Sequence, residues 1–129
     1  MNPTDNQMVR VVLDETDDSG RQQGLKTSGR EREQLGSDKH RILRVQAYGL
    51  SGHAPKGSQG VVIAIGGNPD QAVLLGGEHP DHRPKDLGEG EVMLYSQFGQ
   101  KIHLKANGDV DIDAPGTVYI RSGGTVEIN

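Results

Sequence analysis

The carboxyl-terminal part of the chain, residues 101–129, repeats one pattern every eight residues. The second and fourth positions of each repeat are Ile, Leu or Val, the eighth is Gly wherever it is present, and the first, third and fifth positions are mostly charged or polar. Period-2 alternation ended by glycine predicts a short strand followed by a corner in every repeat. The aliphatic positions are Ile102, Leu104, Val110, Ile112, Val118, Ile120, Val126 and Ile128, and the glycines are Gly108, Gly116 and Gly124.

A narrow ribbon of such repeats has nothing opposite its apolar side. Full burial of one aliphatic side chain contributes about 1.5–3 kcal/mol, which a lone ribbon cannot gain. Three copies wound around a common axis would provide three walls, one enclosed core and paired strand edges. We therefore predict a homotrimeric, intertwined β-helix over residues 96–129, with the eight aliphatic residues in the trimer core and the three glycines at its corners. A single-chain solenoid is the alternative, although four short rungs could not enclose a core.

The residues before the repeats predict a small all-β domain. Two apolar runs joined by Asn68-Pro69-Asp70 indicate a β-hairpin that is buried on both faces near its middle. Only Arg30–Leu35 offers a helical turn, and residues 1–8 are expected to be flexible. Five short strands with glycine turns favour an OB-type barrel over residues 9–95. The predicted strands are Val9–Leu13, Ile42–Tyr48, Gly60–Gly67, Gln71–Gly77 and Glu91–Tyr95.

Composition limits the functions open to such a chain. It is 32% hydrophobic with 19 glycines and no cysteine, which excludes disulfides and thiolate zinc sites. No run approaches the eighteen apolar residues of a membrane span, and the amino terminus lacks the apolar region of a signal peptide. A net charge of -4 with no basic cluster argues against specific nucleic-acid binding.

A binding module is the alternative function for an OB-type barrel, which in other proteins often holds oligonucleotides or oligosaccharides. Such sites need exposed aromatic side chains for stacking and a basic groove for the backbone. Before the repeats, only Tyr48, Tyr95 and Phe98 are available for stacking, and the basic residues are scattered. Fold analogy by itself supplies no function, so the module remains the second hypothesis.

Two clusters could bind metal, and neither has the required spacing. The acidic segment Asp14–Gly20 resembles a calcium loop, but Leu25 stands where the twelfth-position glutamate is needed. In Glu78–Arg83 two histidines lie three residues apart, but Pro80 and Pro84 exclude a regular helix there. No nucleophile–base pair is evident. We predict no catalytic residue, no bound metal and no cofactor.

Four segments resemble the Mu-type phage baseplate assembly protein V, the central tail spike: Val45–Gly57, Val61–Asn68, Arg83–Tyr95 and Gly99–Leu104. The likeness covers about residues 8–129. It implies a homotrimer in the baseplate of the virion tail, assembled in the host cytoplasm, whose amino-terminal OB domain lies at the tail hub among other baseplate proteins. It also implies that the carboxyl-terminal β-helix points at the host and is driven through the outer membrane when the sheath of a contractile tail contracts. Tail-like bacteriocin particles use similar parts.

The sequence departs from this family at the apex of the spike. Relatives often end where a His-x-His pair from each of three chains binds iron, and this sequence contains no His-x-His. It ends in mid-repeat at Val126–Asn129. We therefore expect no apical iron, and either a shortened chain or a separate protein that caps the tip.

Overall fold

A computed structural model describes residues 8–28, 42–68 and 71–129 of the 129-residue chain. The described residues are all-β apart from a short 3-10 turn at Ile65–Gly67, and they divide into two compact units, Met1–Asp81 and His82–Asn129. The expected all-β class is thus confirmed. The strands are β1 (Met8–Asp17), β2 (Gln23–Ser28), β3 (Ile42–Arg44), β4 (Gln59–Ala64), β5 (Ala72–Glu78), β6 (Val92–Tyr95), β7 (Lys101–Leu104) and β8 (Val110–Asp113).

The first unit is a closed five-stranded barrel with the strand order β1-β2-β3-β5-β4. The long strand β1 pairs antiparallel with both β2 and β4, while β3 and β5 run parallel. Alternate side chains of β1 point inward, so that Val11 and Leu13 are buried while Arg10 and Val12 are exposed. The core is small because it is built from a few aliphatic and alanine side chains, which are Val11, Leu13, Leu25, Ile42, Ala54, Val62, Ala72 and Leu74.

The barrel has the predicted number of strands but not the predicted set. Strand β2 was missed because Gln23 and Gly24 give it no apolar start, although Leu25 and Thr27 are buried in the barrel. The predicted strand at Glu91–Tyr95 was wrongly placed in the barrel. It forms β6, which pairs with β7 in the second unit. Both errors have one cause, because strand partners are chosen by long-range pairing that a local pattern does not encode.

The predicted ends of the strands also needed correction. Strand β1 continues to Asp17 beyond the predicted end at Leu13, because its acidic residues still pair with β2 after a register shift between Leu13 and Glu15. Strand β3 stops at Arg44, and the chain then leaves the sheet in a loop. The hairpin of β4 and β5 is confirmed. Its inner side chains are buried, but Leu75 on the outer side is 57% exposed, so burial on both faces was wrong there.

Several predictions concern residues that lie outside the part of the chain that the structure describes. These are the flexibility of residues 1–7, the helical turn at residues 30–35 and most of the predicted turn at residues 68–70. They stay predictions.

The second unit contains a three-stranded antiparallel sheet in the order β6-β7-β8. Its two hairpin turns share one design, in which a glycine in the left-handed region closes the loop: Gly99 has φ 96° and Gly108 has φ 92°. In the second turn Lys105 N–H donates to Asp109 O at 2.9 Å and Gly108 N–H donates to Lys105 O at 3.0 Å. This is the three-residue hairpin loop in which only glycine fits without strain.

The first two repeats thus form an ordinary hairpin within one chain, with Gly108 in its turn. Residues 114–129 follow β8 and carry no strand in the described chain. The trimeric β-helix, including the corner positions at Gly116 and Gly124, therefore stays a prediction.

Candidate assembly interface

Six aliphatic side chains lie together on one face of the second sheet. Directly paired residues of an antiparallel ladder share a face, and the register pairs Leu94 with Ile102 and Ile102 with Ile112. The set, which we call the aliphatic face, comprises Val92, Leu94, Ile102, Leu104, Val110 and Ile112. The four repeat residues among them were predicted to point to one side, and the structure brings them together with two residues of β6.

The aliphatic face is uncovered in the single chain. Its side chains are 38 to 61% exposed, whereas the aliphatic side chains of the barrel core are at most 5% exposed. Covering the remaining surface would contribute roughly 1 kcal/mol for each side chain. On the surface of a globular protein, a contiguous exposed apolar patch of this kind marks a site of interaction with another molecule. A shallow apolar groove of about 340 Å³ runs along one edge of the face, lined by Leu94, Ile102, Ile112 and Ala114.

The opposite face of the sheet carries complementary charges. The first, third and fifth positions of the first repeat are basic, at Lys101, His103 and Lys105, and those of the second repeat are all aspartate. Because β7 and β8 are antiparallel, Lys101 stands opposite Asp113 and His103 opposite Asp111. Lys105 Nζ lies 3.4 Å from the Asp111 carboxylate across the two strands. These opposite charges favour the pairing of β7 with β8 over the pairing of either strand with a copy of itself, in which like charges would oppose one another.

His103 lies on this polar face, as expected from its odd position, but it is not solvated. Its side chain is only 17% exposed, and its Nε2 atom lies 3.4 Å from Oε1 of Glu91. Nε2 is buried, and its contact with Glu91 falls outside ordinary hydrogen-bond geometry.

Glu91 is a site residue that the sequence analysis missed. One carboxylate oxygen accepts the backbone N–H of Gly88 at 2.8 Å, and the other accepts the backbone N–H of Ala106 at 2.8 Å. The hydrogen bonds from Ala106 and Gly88, together with the neighbouring His103, lower the pKa of Glu91 below its ordinary value. The carboxylate therefore ties the turn before β6 to the turn between β7 and β8. The signal in the sequence was Gly88-Glu89-Gly90-Glu91, a turn with an acid just before a strand.

The last two repeats are not joined to the aliphatic face in the described chain. Their aliphatic residues Val118, Ile120, Val126 and Ile128 are all exposed. A side chain at Gly116 would meet nothing within 4 Å. Arg121 lies over the ring of Tyr119, 4.7 Å from its centroid. The predicted roles of these residues in a trimer core and at its corners remain untested.

Comparison with protein families matches residues 10–81, more than half of the chain, to the family described as Bacteriophage Mu Gp45, N-terminal. The chain belongs to this family. The suspected family is thus confirmed, and the matched residues are those of the barrel unit. A search of curated proteins found no match.

Membership of the Mu Gp45 family makes the chain a phage baseplate protein, a component of the virion tail that associates with other baseplate proteins. No helix within residues 8–28, 42–68 and 71–129 is both long and apolar enough to cross a membrane.

In this Gp45 family member, three side chains converge on one carbonyl of the loop that follows β3. The carbonyl of Gly52 accepts side-chain hydrogen bonds from Gln23 Nε2 at 3.0 Å, Arg44 Nη1 at 2.9 Å and Gln46 Nε2 at 3.1 Å. Burial lowers the pKa of Arg44. Its guanidinium packs on Gly77, where a Cβ would stand 2.9 Å from Nη2. These hydrogen bonds hold the loop that follows β3, and in the turn of that loop Tyr48 is fully exposed.

The two clusters considered as metal sites have other partners in this Gp45 family member. In the acidic turn Asp14 pairs with Lys56 at 3.3 Å, and Asp17 accepts the Ser19 N–H at 3.0 Å. In the second cluster His79 Nδ1 accepts the N–H of Asp81 at 3.1 Å. Among the described residues no group of three or more His, Asp or Glu is placed to hold a metal ion.

Proposed function

We propose that this baseplate protein is the central spike of a contractile phage tail or tail-like particle. Three copies assemble through the aliphatic face and the repeats, and the barrel binds the tail hub. When the sheath contracts, the spike is driven through the outer membrane of the host. Family membership supports the baseplate location, and the uncovered aliphatic face is the observation that carries the trimeric spike.

The barrel of this spike is of the OB type. Its closed order β1-β2-β3-β5-β4, with β3 and β5 parallel, supports that assignment. A five-stranded Greek-key barrel leaves few strand edges exposed and suits a docking module that must stay folded under load.

The repeats supply the trimer with a continuous apolar wall. The alternation seen on β7 and β8 continues at Val118, Ile120, Val126 and Ile128, so each copy presents ten aliphatic side chains with the two from β6. A three-fold axis turns three such walls toward one another. Their odd positions then face water, which keeps a long apolar assembly soluble.

The spike works mechanically. We propose that it has no catalytic residue and needs no cofactor, because the sequence offers no evident nucleophile–base pair. A separate protein that caps the tip is part of this proposal.

Light scattering on the intact chain tests the trimer. We expect three times the mass of the 13.9 kDa chain. A folded particle at the mass of one chain would contradict the proposal. Immunogold labelling of particles that carry the chain tests the location, with label expected at the tail tip and none along the sheath.

A binding module is the second candidate, and one observation favours it. A polar pocket of about 370 Å³ lies between the β1–β2 turn and the end of β3, lined by residues that include Arg21, Gln46 and Ser51. OB-type barrels use the face of these strands for oligonucleotides and oligosaccharides. A chain shortened to residues 1–99 separates the candidates: a binding module would stay folded and retain its ligand, whereas the spike would lose its trimer.

A further inference from the structure

Strand β8 has a free edge. It pairs with β7 on one side, and no strand in the described part of the chain pairs with its other side. Its backbone N–H and C=O groups on that side point outward next to the uncovered aliphatic face. An edge of this kind is a template for strand addition from another chain.

We propose that the third repeat of a second copy, residues 117–121, adds to this edge as a strand. The inference rests on the trimeric spike proposed above and names which segment of one copy seats on which strand of its neighbour. It makes β8 the place where pairing within one chain gives way to pairing between chains.

The alternation of the third repeat fits the edge. With Tyr119 opposite Asp111, the side chains of Val118 and Ile120 fall on the same side as Val110 and Ile112. The added strand therefore extends the aliphatic face. Shifting it by one residue would turn both aliphatic side chains to the polar face, so the register is strongly specified.

Charge complementarity selects this partner. In the centred register Arg121 stands beside Asp113 if the strands are parallel and beside Asp109 if they are antiparallel. Within the described residues Arg121 has a ring contact with Tyr119 but no carboxylate partner, and Asp113 has no ion pair. Either direction brings a guanidinium to an aspartate, a favourable cross-strand pair.

The third repeat of the same chain does not take this place, because the turn after β8 differs from the two before it. Gly99 and Gly108 close their hairpins with left-handed backbone, but Gly116 does not adopt that region. Pro115, which precedes it, packs against Gly99, where a Cβ would stand 2.9 Å from the proline ring. Residues 114–116 therefore lead the chain out of the sheet.

Engineered disulfides test the pairing, and the chain contains no cysteine of its own. Asp111→Cys and Tyr119→Cys form the central pair in either strand direction. Neighbouring strands place facing Cα atoms about 4.5–5.5 Å apart, within the range of a disulfide. We expect the oxidised double variant to run on a denaturing gel as a covalent trimer, three times 13.9 kDa, and to return to single chains on reduction. Each single variant is the matched control and should run as single chains.

The outcomes distinguish this pairing from the trimer itself. A disulfide within one chain would overturn the pairing, and so would a trimeric mass by light scattering without covalent linkage. A wild-type chain at the mass of one copy would instead overturn the spike.

If the cysteine variant does not assemble, a charge reversal provides a second test of the strand pairing. Arg121→Glu should lower the melting temperature of the trimer by about 2–8 °C. Adding Asp113→Arg should restore the melting temperature if the two strands are parallel. Adding Asp109→Arg should restore the melting temperature if they are antiparallel. Failure of both to restore it would overturn the pairing.

Discussion

The carboxylate of Glu91 accepts a hydrogen bond from the backbone N–H of Ala106 at 2.8 Å, across fifteen residues of sequence. Its other oxygen accepts the N–H of Gly88, and His103 lies beside it. One side chain therefore joins the turn before β6, the middle of β7 and the turn between β7 and β8. Four predictions follow from this contact, from the aliphatic face and from the hairpin glycine.

Replacement of Glu91 by Gln should destabilise the second unit. A glutamine has one acceptor oxygen in place of two, so either Gly88 or Ala106 loses its partner, and the attraction to His103 is lost as well. We expect the melting temperature to fall by a few degrees. Glu89→Gln is the control, because Glu89 is exposed and lies in the same turn. Equal effects of the two changes would contradict the role given to Glu91.

The same contact predicts how stability depends on pH. The pKa of Glu91 is lowered in the folded state from an ordinary value of 4.5, so the ionised form is stabilised by folding. That contribution is fully present above about pH 5 and is lost as the pH falls through the folded pKa. Melting measured between pH 7 and pH 3 should show a smaller acid-induced loss for Glu91→Gln than for wild type. Parallel curves would contradict the contact.

Replacement of Ile112 by Asp should prevent assembly. In the trimer three copies would bury three carboxylates together without partners, at a cost of several kcal/mol each. Light scattering should then report single chains. Asp111→Asn, on the neighbouring residue and the opposite face, should still assemble. A trimeric Ile112→Asp variant would show that the aliphatic face is not the interface.

Replacement of Gly108 by Ala should strain the hairpin between β7 and β8. Gly108 has φ 92°, a conformation that costs an L-residue about 1 kcal/mol or more. Gly116→Ala is the matched control, because its backbone lies outside that region and a Cβ there meets open space. Chemical denaturation should separate the two variants, and equal free energies of unfolding would argue against the hairpin.

Prediction from sequence succeeded where the structure depends on neighbouring residues. The alternation in residues 101–113 was enough to place Ile102, Leu104, Val110 and Ile112 on one face, because side chains alternate along any extended strand. The hairpin of β4 and β5 was also predicted, since its strands adjoin in sequence. The same alternation placed the aspartates of β8 on the opposite face.

Prediction failed where the structure depends on distant partners. Gln23 opens a buried strand only because its side chain donates to Asp18 and to the carbonyl of Gly52, which lies twenty-nine residues away. Val92–Tyr95 has the pattern of a barrel strand, but its register with β7 assigns it to the second sheet. Glu91 became a site residue only when folding brought Ala106 to it.

The sequence by itself determined which side chains of β7 and β8 share a face, because side chains alternate along any extended strand. The tertiary structure alone decided which strands pair, where the barrel ends and which polar groups satisfy one another. Those choices depend on whether apolar burial and strand pairing outweigh the entropy lost in closing long loops. Because the pairing residues lie far apart in the sequence, no short segment is enough to predict the result.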